Sequence, residues 1–254
     1  MARAPMLGIS ISPRIGLGDG LQFSSLPENY FRATGEKLVD VSKPWFFDFN
    51  PYVVRDVEPE KTIELWNFGP TLRPWPRPRP HVYLSNAEIH AAMLGVPVVL
   101  NRPRLYRFED VKFEDRKRIL LHAKGRSNGD MPERIVEHVK AKYGGLCLYQ
   151  IGLQSDPGYG IEKLYTPTFW DLAREISSAK MFIGVDSGPS WIAACYPDIV
   201  AKKVRVKLPD GEGLIEDWVP LEIDRIHSHW DDRCFHIHNV TEDDRGFTSS
   251  FKRL

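Results

Sequence analysis

Cysteine is scarce: Cys147, Cys195 and Cys234 are the only three in 254 residues, odd in number and widely spaced. They offer neither a disulfide framework nor a zinc-type pair, and buried thiols are the expectation. No sign of charge is in excess, because 34 basic residues balance 34 acidic ones. Without a global field for nucleic acid or an anionic membrane, the balance argues against a dedicated DNA-binding module and leaves room only for a local basic groove. No apolar run approaches the roughly 20 residues that cross a bilayer, and the residues after Met1 lack the apolar run of a secretion signal. A cytoplasmic protein without a transmembrane segment is expected. No repeat is visible beyond an alternation of strand and helix signals.

What is present is a folded chain. A hydrophobic content of 42% supports one large or two small domains. Short apolar runs read as strands at 6–12, 38–41, 62–66, 81–84 and 96–100, and Ile89, Ala92 and Met93 give 86–94 helical spacing. PRIGLGDG at 13–20 reads as a Gly-rich corner leading into a helix through Tyr30 and Phe31. LRPWPRPRP at 72–80 lacks the backbone donors of a helix or central strand and reads as a surface loop.

After the charged stretch Glu109–Arg118 the alternation restarts: strand 119–122, helix 132–143, strand 146–151, helix 168–178, strand 181–185. A domain boundary is placed near residue 112. In the helix at 168–178, Phe169, Leu172, Ala173 and Ile176 share a face, and Thr168 with Asp171 has the spacing of an acidic capping box. Strands alternating with helices imply parallel sheets with covered faces.

The segment MFIGVDSGPSWIAACY at 181–196 concentrates the chemistry. A buried strand should end at Asp186, and Pro189 suits the first turn of the helix that follows. A helix opening beyond the carboxyl end of a parallel strand offers amides and a positive dipole end to a phosphate, with Ser187, Gly188 and Ser190 as donors. The same letters also suit an ordinary strand-to-helix turn in which Asp186 caps the helix. Lys124 and Arg126, following the strand that ends at His122, are either solvated loop residues or cationic contacts for a diphosphate.

Four segments, taken together and in order, resemble the heptosyltransferase-like glycosyltransferases of family 9. They are GLGDG at 16–20, SNAEIHAAMLGVP at 85–97, LLHAKGRSNGDMPERIVEHV at 120–139, and LYQIG at 148–152 continuing through YTPTFWDLAREISSAKMFIGVDSGPSWIAA at 165–194. The resemblance implies an α/β fold of the GT-B type, two Rossmann-like domains with parallel sheets facing a cleft, the first domain compact. It divides the chain into an acceptor domain at 1–112, a donor domain at 113–204 and an extension at 205–254 packing across the domains.

For the site, the resemblance implies Asp19 as general base and Gly18, Lys124, Arg126, Ser127, Asp186, Ser187, Gly188, Ser190 and Trp191 as donor-binding residues. Gly18 and Gly20 would leave room for substrate beside Asp19, which as part of Gly-Asp-Gly also reads as a helix cap. The implied reaction is inverting displacement from a nucleotide-diphosphate sugar, with no metal and no further cofactor. Its acceptor is a glycan, a protein or a modified nucleic-acid base. Three departures predict a donor site that differs in detail. Trp191 stands where members often have histidine, Gly129 or Asp130 replaces a lysine, and Met131-Pro132 replaces Trp-Pro.

Rival readings come from other classes. A nucleotide-sugar-binding protein without transfer activity would keep the donor clamp. A dinucleotide-binding enzyme is disfavoured because GLGDG lacks the spacing G-x-G-x-x-G. RPWPRPRPHVY at 73–83 offers Trp75 and arginines for single-stranded nucleic acid, against a plain Pro-rich loop. His227, His229, His236, His238 and Cys234 in the tail match no strong zinc signature, and no metal site is assigned there.

Overall fold

The computed structural model describes residues 6–13, 15–21, 23–65, 94–97, 103–109, 116–125, 130–185, 187–196, 199–204, 234–237, 240–243 and 246–249, the last four stretches by backbone apart from Ile199. The chain divides into two compact units between Arg107 and Phe108. The expected elements at 72–84 and 86–93, and the strand residues 98–100, lie outside the described residues.

In the first unit β1 (Leu7–Ile11) leads through α1 (Leu17–Leu21) and α2 (Leu26–Thr34) to β2 (Leu38–Asp40), β3 (Val53–Val54) and β4 (Lys61–Leu65). The strands form one parallel sheet in the order β3-β2-β1-β4, with Ile9 opposite Asp40 on one side and Ile63 on the other. Pro27 sits in the first turn of α2, and Gly35, at φ 76°, ends the helix in the left-handed region that a residue without Cβ enters at least cost.

The Gly-rich corner expected at GLGDG is instead a helical turn, since α1 begins at Leu17. Gly20 packs closely there: a Cβ on it would lie 2.8 Å from Cε1 of Phe46, a buried ring in the 3-10 turn Trp45–Phe47.

Among the described residues, two carboxylates are buried in this unit. Glu28, in the first turn of α2 and 1% exposed, accepts from Arg32 Nε at 2.9 Å, Arg104 Nη1 at 3.1 Å and the Tyr106 hydroxyl at 2.6 Å. Burial and the Glu28 carboxylate hold the Tyr106 phenol well above its usual range. Asp40, at the end of β2, accepts from Arg55 Nε at 2.8 Å and from the Lys43 amide at 2.9 Å. Burial pushes its carboxyl up, and Arg55 offsets that only in part.

The second unit contains β5 (Arg118–His122), α3 (Glu133–Tyr143), β6 (Leu148–Gln150), α4 (Phe169–Ser177), β7 (Ala179–Val185), α5 (Gly188–Cys195), β8 (Val200–Val204) and β9 (Cys234–Ile237). Its five strands are parallel, in the order β6-β5-β7-β8-β9. The expected alternation after residue 118 is therefore realised with ends shifted by one or two residues. β9 adds the sequence after 204 to this sheet, while β10 (Val240–Asp243) and β11 (Gly246–Ser249) form a separate antiparallel hairpin.

Ile119 and Leu121 of β5, Ile183 and Val185 of β7, and Ile135, Val136 and Val139 of α3 make one apolar cluster. The period of two sends Leu120, His122, Phe182 and Gly184 to the other face. At the start of α4 the capping box is formed as expected: the Asp171 amide donates to Thr168 Oγ1 at 3.1 Å and the Thr168 amide to Asp171 Oδ2 at 3.3 Å. Of the three cysteines, Cys195 is buried as expected, but Cys147 is exposed because it follows the turn at Gly144–Gly145 and precedes β6. Among the described residues no helix is long and apolar enough to cross a membrane.

Candidate functional site

The carboxyl ends of β5, β6 and β7 bring polar groups together. Pairing of β5 with β7 sets His122 beside Gly184. A Cβ on Gly184 would lie 2.6 Å from Phe182 Cζ and 3.3 Å from His122 Cβ, so the glycine makes room for the Phe182 ring beside His122. His122 Nδ1 lies 3.0 Å from Ser187 Oγ, and the same hydroxyl lies 3.2 Å from the Val185 carbonyl. A hydroxyl has one proton to donate, so the imidazole carries its proton on Nδ1 when the serine donates to Val185, and on Nε2 when the serine donates to the ring. Burial drives His122 down to about 4, although the Asp156 and Asp130 carboxylates favour its protonated form. The ring is therefore neutral at pH 7.

Ser187 is the N-cap of α5, a position the sequence also allowed to Asp186, and Pro189 lies in the first turn as expected. Ser190 faces inward. Its hydroxyl donates to the Val185 carbonyl at 2.5 Å and its amide to the Ser187 carbonyl at 3.0 Å, so both donors expected for a ligand are engaged within the turn. Pro189 has no N–H, which leaves Gly188 as the first-turn amide outside the ladder of the helix itself. Trp191 is half-buried in the same helix, its amide 3.4 Å from the Ser187 carbonyl.

Beyond β5 the Lys124 ammonium contacts Asp130 Oδ2, and the Gly125 amide donates to Asp130 Oδ1 at 3.1 Å. This partner holds the Lys124 ammonium above its ordinary range. Beyond β6 the turn at 152–156 is knit by its own groups: Asp156 Oδ2 accepts from the Leu153 amide at 2.7 Å, and Lys163 Nζ donates to the Leu153 and Asp156 carbonyls at 2.9 and 2.7 Å. Gly152, at φ 149°, allows this turn, since a Cβ there would lie 2.5 Å from Asp156 Oδ2. Buried Gln150 donates to the Pro157 carbonyl at 2.6 Å.

Of the residues expected in the site, Lys124, Ser187, Gly188, Ser190 and Trp191 lie at or just beyond these strand ends. Arg126, Ser127 and Asp186 lie outside the described residues. Gly18 and Asp19 belong to α1 of the first unit, where Gly18 is half-buried and the side chain of Asp19 is outside the described residues. His122 and Asp156 were missed by the sequence reading; the signals for them were a histidine closing an apolar strand and an Asp-Pro-Gly turn after the next one. The histidines at 227, 229 and 238 lie outside the described residues, and His236 and Cys234 are described only as backbone of β9. Among the described residues no three His, Cys, Asp or Glu side chains gather as metal ligands.

No family model and no curated protein matches the chain. Solved structures do. The chain is similar to E. coli heptosyltransferase WaaC with ADP at 13% identity, TM-score 0.57, over 81% of this chain and 89% of that one. The family 9 glycosyl transferase from Veillonella parvula aligns at 14% identity and TM-score 0.58, over 80% and 82%. The iron-containing dodecameric glycosyltransferase TibC from enterotoxigenic E. coli aligns at 17% and 0.52, over 91% and 66%. At these identities the alignments show the fold alone: the chain is folded like these heptosyltransferase-like, family 9 glycosyltransferases, an α/β architecture of the GT-B type.

Proposed function

We propose that this chain is a glycosyltransferase that moves a sugar from a nucleotide-diphosphate donor, of the ADP-heptose type, to an acceptor hydroxyl. The observation that carries the reading is the second unit's strand-end cluster. Lys124 follows β5 and the Ser187–Gly188 helix start follows β7, at the carboxyl edge where open parallel sheets bind phosphates. Transfer places negative charge on the leaving diphosphate. Lys124, Arg126 and Ser127 after β5, and Asp186, Ser187 and Gly188 after β7, form the donor clamp that meets it. Ser190 holds the second loop in shape, and Trp191 lies one turn into the same helix. Asp19 takes the proton of the acceptor hydroxyl while that oxygen displaces the diphosphate with inversion, without a metal. The acceptor is a glycan of the lipopolysaccharide type, a protein or a modified nucleic-acid base.

Thermal-shift titration with ADP, GDP, UDP, CDP and dTDP tests the donor half, because a ligand of the folded state raises apparent stability with the logarithm of its saturation. One nucleotide is expected to stabilise the chain selectively, and Ser187→Trp to abolish the effect; no response to any of the five would overturn the reading. Asp19→Asn is expected to remove donor turnover and keep nucleotide binding. Trp191, in place of the family's frequent histidine, favours a second reading, a nucleotide-sugar-binding protein without transfer. Binding without turnover in the wild-type chain would decide for it.

A further inference from the structure

Asp130 holds its carboxylate where an incoming anion would be received. One of its oxygens meets the Lys124 ammonium, and the other accepts from the Gly125 amide at 3.1 Å. An ammonium and a backbone N–H converging on two oxygens of one anion, just past the end of a parallel strand, form a donor set suited to a phosphate. The loop does not depend on the acid for closure, since the Met131 amide donates to the Ala123 carbonyl at 2.7 Å over the same span. Nor is the pair sealed: the Lys124 and Asp130 side chains are 41% and 40% exposed, so either can change partner from solvent.

We infer that Asp130 is a built-in competitor for the phosphate seat: in the unliganded chain it occupies Lys124 and Gly125, and a nucleoside diphosphate binds by displacing it. This rests on the donor reading above and adds the regulation of that site. Lys124 passes from the carboxylate to a phosphate oxygen, and Asp130 turns to water. A half-exposed ion pair is weak enough to be exchanged and strong enough to lower the affinity of every anion that needs the same donors.

Calorimetric titration of the full chain with inorganic pyrophosphate and with ADP tests this in wild type, Asp130→Asn, Lys124→Gln and the double variant. Asparagine keeps an oxygen for the Gly125 amide and removes the charge. Asp130→Asn is expected to tighten both probes by about fivefold, the scale of one such pair, and Lys124→Gln in the same chain to cancel the gain. Asp130→Ser, which shortens the side chain, should shift binding in the same direction and guards against a local misfold of one variant. Equal or weaker binding by both Asp130 variants, with wild type binding either probe, overturns the inference and leaves the donor reading standing. A gain that survives Lys124→Gln also overturns it. Failure of every variant to bind either probe overturns both readings.

Discussion

The two units place their carboxylates in opposite ways: among the described residues the buried ones all lie in the first. The first draws carboxylates into its interior and neutralises them in place, Glu28 with Arg32, Arg104 and Tyr106, and Asp40 with Arg55. The second keeps an apolar cluster between β5, β7 and α3, and one of its ion pairs, Lys124 with Asp130, lies half-exposed just past the end of β5. A buried pair is held because losing either partner strands the other, whereas a half-exposed pair can be traded for a ligand at little cost. The first arrangement fixes shape. The second can change partners.

The hardest blow to this contrast is Glu28→Ala. It should destabilise the first unit by about 4 kcal/mol, because Tyr106 and two guanidinium groups lose their shared acceptor. Hydrogen exchange read unit by unit should show the loss in residues up to Arg107; equal loss in the second unit would contradict the division.

Acid should then separate the units in the reverse order. His122 titrates near 6.5 when unfolded and near 4 when folded, so between those values the unfolded chain takes up a proton that the folded chain refuses. The stability gained by keeping the ring neutral is complete above the unfolded value and is lost as pH falls toward the folded one, by about 3 kcal/mol. Asp40 has the opposite sign. Its carboxyl is raised by burial, so the folded first unit gains stability as pH falls through that raised value. Exchange followed from about pH 7 to about pH 4.5 should find the second unit opening first, and His122→Asn should flatten its pH dependence. Simultaneous opening would count against this assignment.

A smaller effect sharpens the contrast from the other side. Thr168→Ala removes the cap of α4 and should cost about 1 kcal/mol, confined to the second unit. Denaturant titration measures the loss, and nucleotide stabilisation should persist because the cap lies outside the strand-end cluster.

Local signals carried the sequence reading far in the second unit. Apolar runs, the Thr168–Asp171 spacing and Pro189 each act within a few residues, and each appears where its letters place it. What escaped depends on partners distant in the chain. Glu28 reads as an ordinary acid in the first turn of a helix, and its burial is decided by Arg104 and Tyr106, 76 and 78 residues away. His122 reads as the end of a strand until Ser187, 65 residues on, lies against it. GLGDG reads as a corner because three glycines disfavour a helix, yet Gly20 is helical where the Phe46 ring leaves no room for a Cβ.

The Glu28 clamp also imposes an order on biosynthesis. The four described strands of the first sheet have been translated by Leu65, yet the carboxylate under α2 then has only Arg32 of its three partners. Arg104 and Tyr106 come late in the unit and stand immediately before its boundary at Arg107. The nascent first unit therefore stays unsealed while the intervening segment is made, and it locks only after Arg104 and Tyr106 have cleared the ribosomal tunnel, with the start of the second unit already translated behind them.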